Sequence, residues 1–156
     1  MQTGPMYSPR MFKKMILPHL SRRFKAAKDY LTGVNPEAKL MLHSCGSIRK
    51  FLPDLIEAGV EIIDPVQPHA AEMDTAALKK DFGNELTFHG GIDIQDVLPF
   101  GTAEEIKEEV KTRIHTMGKG GGYILAPAHN VQADVPPANL VMMYETARDI
   151  GKYPLD

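Results

Sequence analysis

Lys39-Leu40-Met41-Leu42-His43 is a short apolar run, residues 47–58 follow with helical spacing, and Gly59-Val60-Glu61-Ile62-Ile63-Asp64 returns to an apolar run after a glycine stop. Two short apolar runs separated by an amphipathic segment read as a strand–helix–strand unit. The pattern repeats along the chain. Residues 74–81 have a helical pattern closed by Gly83, and residues 86–89 are a third apolar run. Residues 102–117 form a second long helical pattern, with Thr102 as N-cap and Glu105 completing a capping box. Residues 122–126 give a fourth strand, and residues 137–150 a closing helix ended by Gly151.

Upstream, Ser8-Pro9 opens a helix, Ser8 capping it and Pro9 taking the first helical position. Phe12, Ile16, Leu20, Phe24 and Ala27 give that helix one apolar face to about residue 30, and Pro18 is expected to kink or split it. Strict alternation of strand and helix implies an α/β fold with a parallel sheet and right-handed crossovers. An open doubly wound sheet and part of a (β/α)8 barrel both fit; a whole barrel needs about 250 residues, and this chain has 156.

The net charge of −2, with the basic residues of 13–28 spread along one helix, excludes the clustered positive surface that nucleic acid or an anionic membrane would require. A lone cysteine, Cys45, forbids an internal disulfide and fits a reducing cytoplasm. No apolar run approaches the ~18 residues of a membrane span.

In both architectures ligands collect at the C-terminal ends of the strands. Those ends read His43-Ser44-Cys45-Gly46, Asp64-Pro65-Val66-Gln67-Pro68-His69, His89-Gly90-Gly91-Ile92-Asp93 and Ala126-Pro127-Ala128-His129-Asn130. Four of six histidines therefore fall on one rim. His43 and Cys45, two apart in an extended segment, point the same way, and imidazole and thiolate are both zinc ligands. His129 is the candidate third ligand. On spacing alone the bland alternative, a buried thiol and a hydrogen-bonded core histidine, is the stronger one. His89 and Asp93 are candidate catalytic groups, with Asp93 equally able to cap the next helix. Asp64, Gln67 and Asn130 are candidates for holding polar groups of a substrate, with Asp64 and Gln67 also able merely to cap the loop. Gly118-Lys119-Gly120-Gly121-Gly122 precedes a strand instead of opening a helix, so it is no phosphate loop and belongs to the opposite rim.

Taken in order, Gln2-Thr3-Gly4-Pro5, Ser8-Pro9-Arg10-Met11-Phe12, His43-Ser44-Cys45-Gly46-Ser47, Asp64, His89-Gly90-Gly91-Ile92-Asp93 and Gly120-Gly121-Gly122-Tyr123-Ile124-Leu125-Ala126-Pro127-Ala128-His129-Asn130 resemble the superfamily of uroporphyrinogen decarboxylases and cobamide-dependent methyltransferases. The resemblance covers nearly the whole chain. It implies a TIM-type (β/α)8 barrel of which residues 1–156 supply the last four units, a half-barrel, with 1–33 as a leading loop and helix. Methyltransferases of this superfamily bind zinc through a His-x-Cys pair, which His43 and Cys45 resemble, and a later cysteine, where this chain has His129. The decarboxylases work without a metal and carry a histidine after the last strand, which His129 also resembles; their catalytic aspartate and substrate arginines lie in the N-terminal half. The His43–Cys45 pair favours the methyltransferase branch. That branch implies zinc as cofactor, a methylated corrinoid as co-substrate, a corrinoid protein and a small thiol as partners, and methyl transfer between corrinoid and thiol. The other branch implies a porphyrinogen-type tetrapyrrole; a non-catalytic half-barrel is the third expectation. A half-barrel is expected to self-associate, because unpaired strand edges template pairing.

Overall fold

The computed structural model describes residues 2–155, and in them an α/β fold is built on one four-stranded sheet. The strands are β1 (Met41–His43), β2 (Ile62–Val66), β3 (Thr87–Ile92) and β4 (Tyr123–Pro127), in spatial order β1-β2-β3-β4 and all parallel. The alternation read from the sequence is therefore present. β3 runs on to Ile92, three residues past its expected end, because Gly90, Gly91 and Ile92 stay paired with Leu125, Ala126 and Pro127.

The register explains the layers. Leu42 pairs with Ile63, Ile63 with Phe88 and Phe88 with Tyr123, and all four belong to one apolar cluster under the helices. The neighbouring row, on the opposite face as the period of two dictates, reads His43, Asp64, His89, Ile124. Met41 and Ile124 on that face are 44% and 42% exposed. A second cluster, from Ile92, Leu98, Ile106, Val110, Ile114 and Met143, fills the space beneath β3 and β4.

The leading helix runs as α1 (Pro9–Met11), a π-type turn (Phe12–Ile16) and α2 (Leu17–Val34). Ser8 caps it by accepting the Met11 N–H at 3.2 Å. Pro18 does not split it. The expected kink is replaced by a wide turn in which the Leu17 N–H bonds to the Phe12 carbonyl, five residues back. Such a turn relieves the carbonyl a proline ring would otherwise strike. Phe12 stacks on Phe51 with ring centroids 4.4 Å apart.

Pro53 enters α3 (Leu52–Glu57) in its first turn, after a 3-10 turn at Arg49–Phe51. α4 (Thr75–Phe82) is capped by Asp74, which accepts from the Ala77 N–H at 2.8 Å. α6 (Ala103–Arg113) carries the expected Thr102–Glu105 capping box and passes into a π-type turn at Ile114–Gly118. α7 (Pro137–Ile150) packs on α6. A four-residue helix, α5 (Val97–Phe100), has no counterpart in the sequence reading. No helix of the described residues is long and apolar enough to cross a membrane.

At the rim away from the strand ends, Gly120, Gly121 and Gly122 all take positive φ and lead into β4. Lys79 donates to the Gly121 carbonyl at 2.5 Å. The glycine run is thus a connector, as its place before a strand requires.

Candidate metal centre

His43 ends β1, and the chain then turns through Ser44, Cys45 and Gly46, the last at φ +84°. That turn is held from the loop after β2: the Gln67 side-chain carbonyl accepts the Gly46 N–H at 2.5 Å. The thiol is folded back toward its own strand, so that Cys45 Sγ lies 3.3 Å from His43 Nε2. From the far side of the sheet, the segment after β4 brings His129 to the same point; its ring lies 6.1 Å from that of His43, at 72° to it. One ligand atom each from His43, Cys45 and His129 lies within 4.8 Å of the others. These are the three metal-ligand candidates of the sequence, and the fold brings them together.

The donor set fits zinc. Tetrahedral bonds of about 2.3 Å to sulfur and about 2.05 Å to nitrogen separate two ligands by about 3.5 Å, close to the observed His43–Cys45 spacing. His43 Nδ1 is turned the other way, onto Asp64 Oδ2 at 2.6 Å, which leaves Nε2 on the side of the cluster. Burial raises the Cys45 thiol above its ordinary pKa, and the negative charge of Asp64 adds to that.

Asp64 is where the sequence placed a substrate contact, but both of its oxygens are engaged within the protein. Oδ1 meets His89 Nδ1 at 2.7 Å while Oδ2 meets His43. His89 thus belongs to the same row one strand further on. It lies next to the cluster through Asp64 and is not one of the three converging ligand atoms. Gln67, also a substrate candidate, spends its carbonyl on the Gly46 turn.

Asp93 is engaged by the backbone of its own loop. Its carboxylate is buried, accepts the N–H groups of Gln95, Asp96 and Val97 at 2.9–3.0 Å, and faces His69 at 3.5 Å. Burial alone would raise its pKa, but the three backbone bonds outweigh it and hold the group below its ordinary value. Its bonds to the Asp96 and Val97 N–H groups hold the turn that leads into α5, whose N-cap is Asp96. Asn130 lies beside Ile94, Gln95, Gln132 and Asp134, in a hollow separate from the cluster's donors. His69 and Tyr123 were not singled out as site residues. Tyr123 donates to the Gly90 carbonyl at 2.9 Å and so holds the segment carrying His89; its aromatic, strand-opening position carried no signal of that contact.

A cavity of about 320 Å³ opens beside the cluster. Leu42, His43, Ser44 and Cys45 line one side; Phe12, Ile16 and Leu20 of the leading helix line the other. Its lining is mostly apolar and carries no Asp, Glu, Lys or Arg.

Comparison with known proteins places this architecture. A uroporphyrinogen decarboxylase from Psychromonas ingrahamii is 25% identical over 148 residues, 95% of this chain and 39% of that protein. One from Nostoc punctiforme is 25% identical over 144 residues, 92% of this chain and 37% of its own length. This chain therefore spans about two-fifths of the curated relatives it matches over most of its length. Among solved structures, a methyltransferase from Methanosarcina mazei superposes with a TM-score of 0.70 at 19% identity, over 92% of this chain and 38% of that one. At that identity the likeness concerns the fold. The family model of uroporphyrinogen decarboxylase (URO-D) matches residues 2–150, and the chain belongs to that family.

Proposed function

We propose that these four βα units are the last four of a (β/α)8 barrel, and that the barrel is a zinc-dependent methyltransferase that moves a methyl group between a corrinoid and a thiol. One observation carries the reading: the donor atoms of His43, Cys45 and His129 converge within 4.8 Å at the strand ends. Three protein ligands leave one tetrahedral position open for a substrate. Zinc bound there would supply Lewis acidity that lowers the pKa of a coordinated thiol and keeps it as thiolate, the form that attacks a methyl group.

The residues of this chain prepare that position. Asp64 orients the His43 ring, and Gln67 fixes the turn that carries Cys45. The cavity between Cys45 and the leading helix, free of charged side chains, gives an incoming thiol an apolar approach. His129 adds an imidazole in place of a second thiolate, which leaves the cluster with one anionic ligand. The remaining barrel strands and a corrinoid protein would supply the methyl donor's site. The cytoplasm is the compartment that keeps Cys45 reduced.

A second reading rests on the relatives. The proteins similar to this chain include uroporphyrinogen decarboxylases, and on that reading the rim would take a porphyrinogen carboxylate with no metal, His129 and His89 serving as polar contacts. Zinc titration of the purified chain against a chromogenic chelator separates the two. One zinc per chain, lost in Cys45→Ser, supports the methyltransferase. Absence of any stoichiometric zinc removes it and favours the decarboxylase.

A further inference from the structure

An ionised carboxylate only accepts hydrogen bonds. Asp64 Oδ2 lies 2.6 Å from His43 Nδ1 and Oδ1 lies 2.7 Å from His89 Nδ1. Both imidazoles must therefore bring a proton to the contact. A neutral imidazole has one N–H, so in each ring the proton sits on Nδ1 and Nε2 is bare. The geometry behind this comes from the sheet. His43 pairs with Asp64 in the β1–β2 register. His89 stands in the same row on β3, so the carboxylate is flanked by an imidazole on each side. The β2–β3 irregularity between Ile63 and Val66 falls at this point.

We propose that Asp64 is a shared positioning carboxylate that fixes His43 and His89 in the same tautomer and so presents two bare Nε2 atoms at the rim. The first is committed: His43 Nε2 lies 3.3 Å from Cys45 Sγ, inside the metal cluster. The second is free. Among the described residues, no hydrogen bond reaches His89 Nε2, and the ring is partly exposed. His89 is consequently an acceptor toward any ligand seated here, and the ligand must offer it an N–H, O–H or S–H group. Reversing the His43 tautomer would withdraw His43 from the metal, and reversing that of His89 would turn His89 into a donor. A carboxylate is also the usual outer partner of a metal-bound histidine, because it raises the basicity of the ligand and fixes its orientation. The His43 half of this assignment rests on the zinc reading; the tautomers do not.

The test is long-range proton–nitrogen NMR correlation on the 15N-labelled, metal-free chain at about pH 8, above the ordinary histidine pKa. His43→Gln and His89→Gln identify the two ring systems by loss of signal. The expected result is protonated Nδ1 and bare Nε2 in both. A proton on Nε2 of either ring overturns the assignment. In Asp64→Asn the amide can accept from one ring but must donate to the other, so one ring is expected to switch tautomer; two unchanged rings would overturn the proposal. Far-ultraviolet circular dichroism of that variant reports whether it is folded. Zinc affinity is expected to fall about 10–100-fold in Asp64→Asn. Both Nδ1–H tautomers without zinc binding would uphold the role of Asp64 and remove the zinc reading. Zinc binding with an Nε2–H ring would do the reverse.

Discussion

The Gln67 side-chain carbonyl, carried on the loop after β2, accepts the backbone N–H of Gly46 at 2.5 Å and so fixes the turn that delivers Cys45. Gly46 is buried, and a buried N–H left without a partner costs about 1–3 kcal/mol. Gln67→Leu is expected to lower unfolding stability by that amount. Its zinc affinity should fall as well, because the Cys45 turn loses its tether. Urea denaturation and chelator competition on the same protein check both; unaltered zinc affinity would show that the turn holds itself.

Cys45 makes metal binding depend on pH in one direction. Burial and the nearby Asp64 charge raise its pKa, so the metal-free thiol keeps its proton at neutral pH and must release it to bind. Zinc affinity should rise with pH, by up to about tenfold per unit while the thiol is protonated. In Cys45→Ser most of the affinity should vanish. Affinity flat between pH 6 and 8, within the range where such a thiol is protonated, would contradict a thiolate ligand.

Glu61 ties the leading helix to the sheet at the opposite rim. It takes ion pairs from Lys28 and Lys39 and the N–H of Leu40. Burial would raise its pKa, but these bonds outweigh burial and bring it from 4.5 to about 2. A carboxyl depressed on folding stabilises the protein above its unfolded pKa, and the gain disappears as pH falls through the folded value. Wild-type stability should therefore drop between about pH 4.5 and 2 more steeply than that of Glu61→Gln. Parallel denaturation curves for the two proteins across that range would sink the assignment.

Gly91 takes φ +90°, and a Cβ there would lie 3.0 Å from the Tyr123 hydroxyl. Gly91→Ala meets both obstacles, with the backbone strain alone worth about 1–2 kcal/mol. It should loosen the Tyr123–Gly90 bond and, through it, the neighbouring His89. A thermal midpoint equal to wild type would refute the close approach.

The sheet's two outer strands, β1 and β4, each lack a neighbour on one side among the described residues, and Met41 and Ile124 stand exposed on the row-bearing face. Unpaired edges and exposed apolar groups favour association. We expect sedimentation of the isolated chain to report dimers or larger species. A stable monomer at all concentrations would mean that the open face is tolerated as it is.

Much of this was legible from the sequence, for a physical reason. Short apolar runs bounded by glycine and separated by amphipathic segments admit few folds, and parallel strands put all their C-terminal ends on one rim. That is why His43, Cys45 and His129 could be named together. What stayed hidden depends on register. By residue type Asp64 reads as a substrate contact or a loop cap; only its pairing with His43 places it between two imidazoles. Asp93 offered a carboxylate of the same kind, but three backbone N–H groups consume it. Asn130 follows His129 directly, yet lines a different hollow. α5 is too short for periodicity to register, and the wide turn at Phe12–Ile16 keeps the helical spacing that announced a plain helix.

That wide turn amounts to one residue more than the helix needs. One residue in an α-helix is worth about 100° of rotation, so the segment Pro9–Met11 is turned by about that angle relative to where an uninterrupted helix would carry it. Removing a single residue between 12 and 16 would take out that extra rotation, but bring a carbonyl back against the Pro18 ring, swing Phe12 off Phe51 and present a different side of the helix to the cavity beside Cys45. The leading helix is thus set like a vernier. The wall of the cavity is adjusted by counting residues, without altering any side chain that lines it.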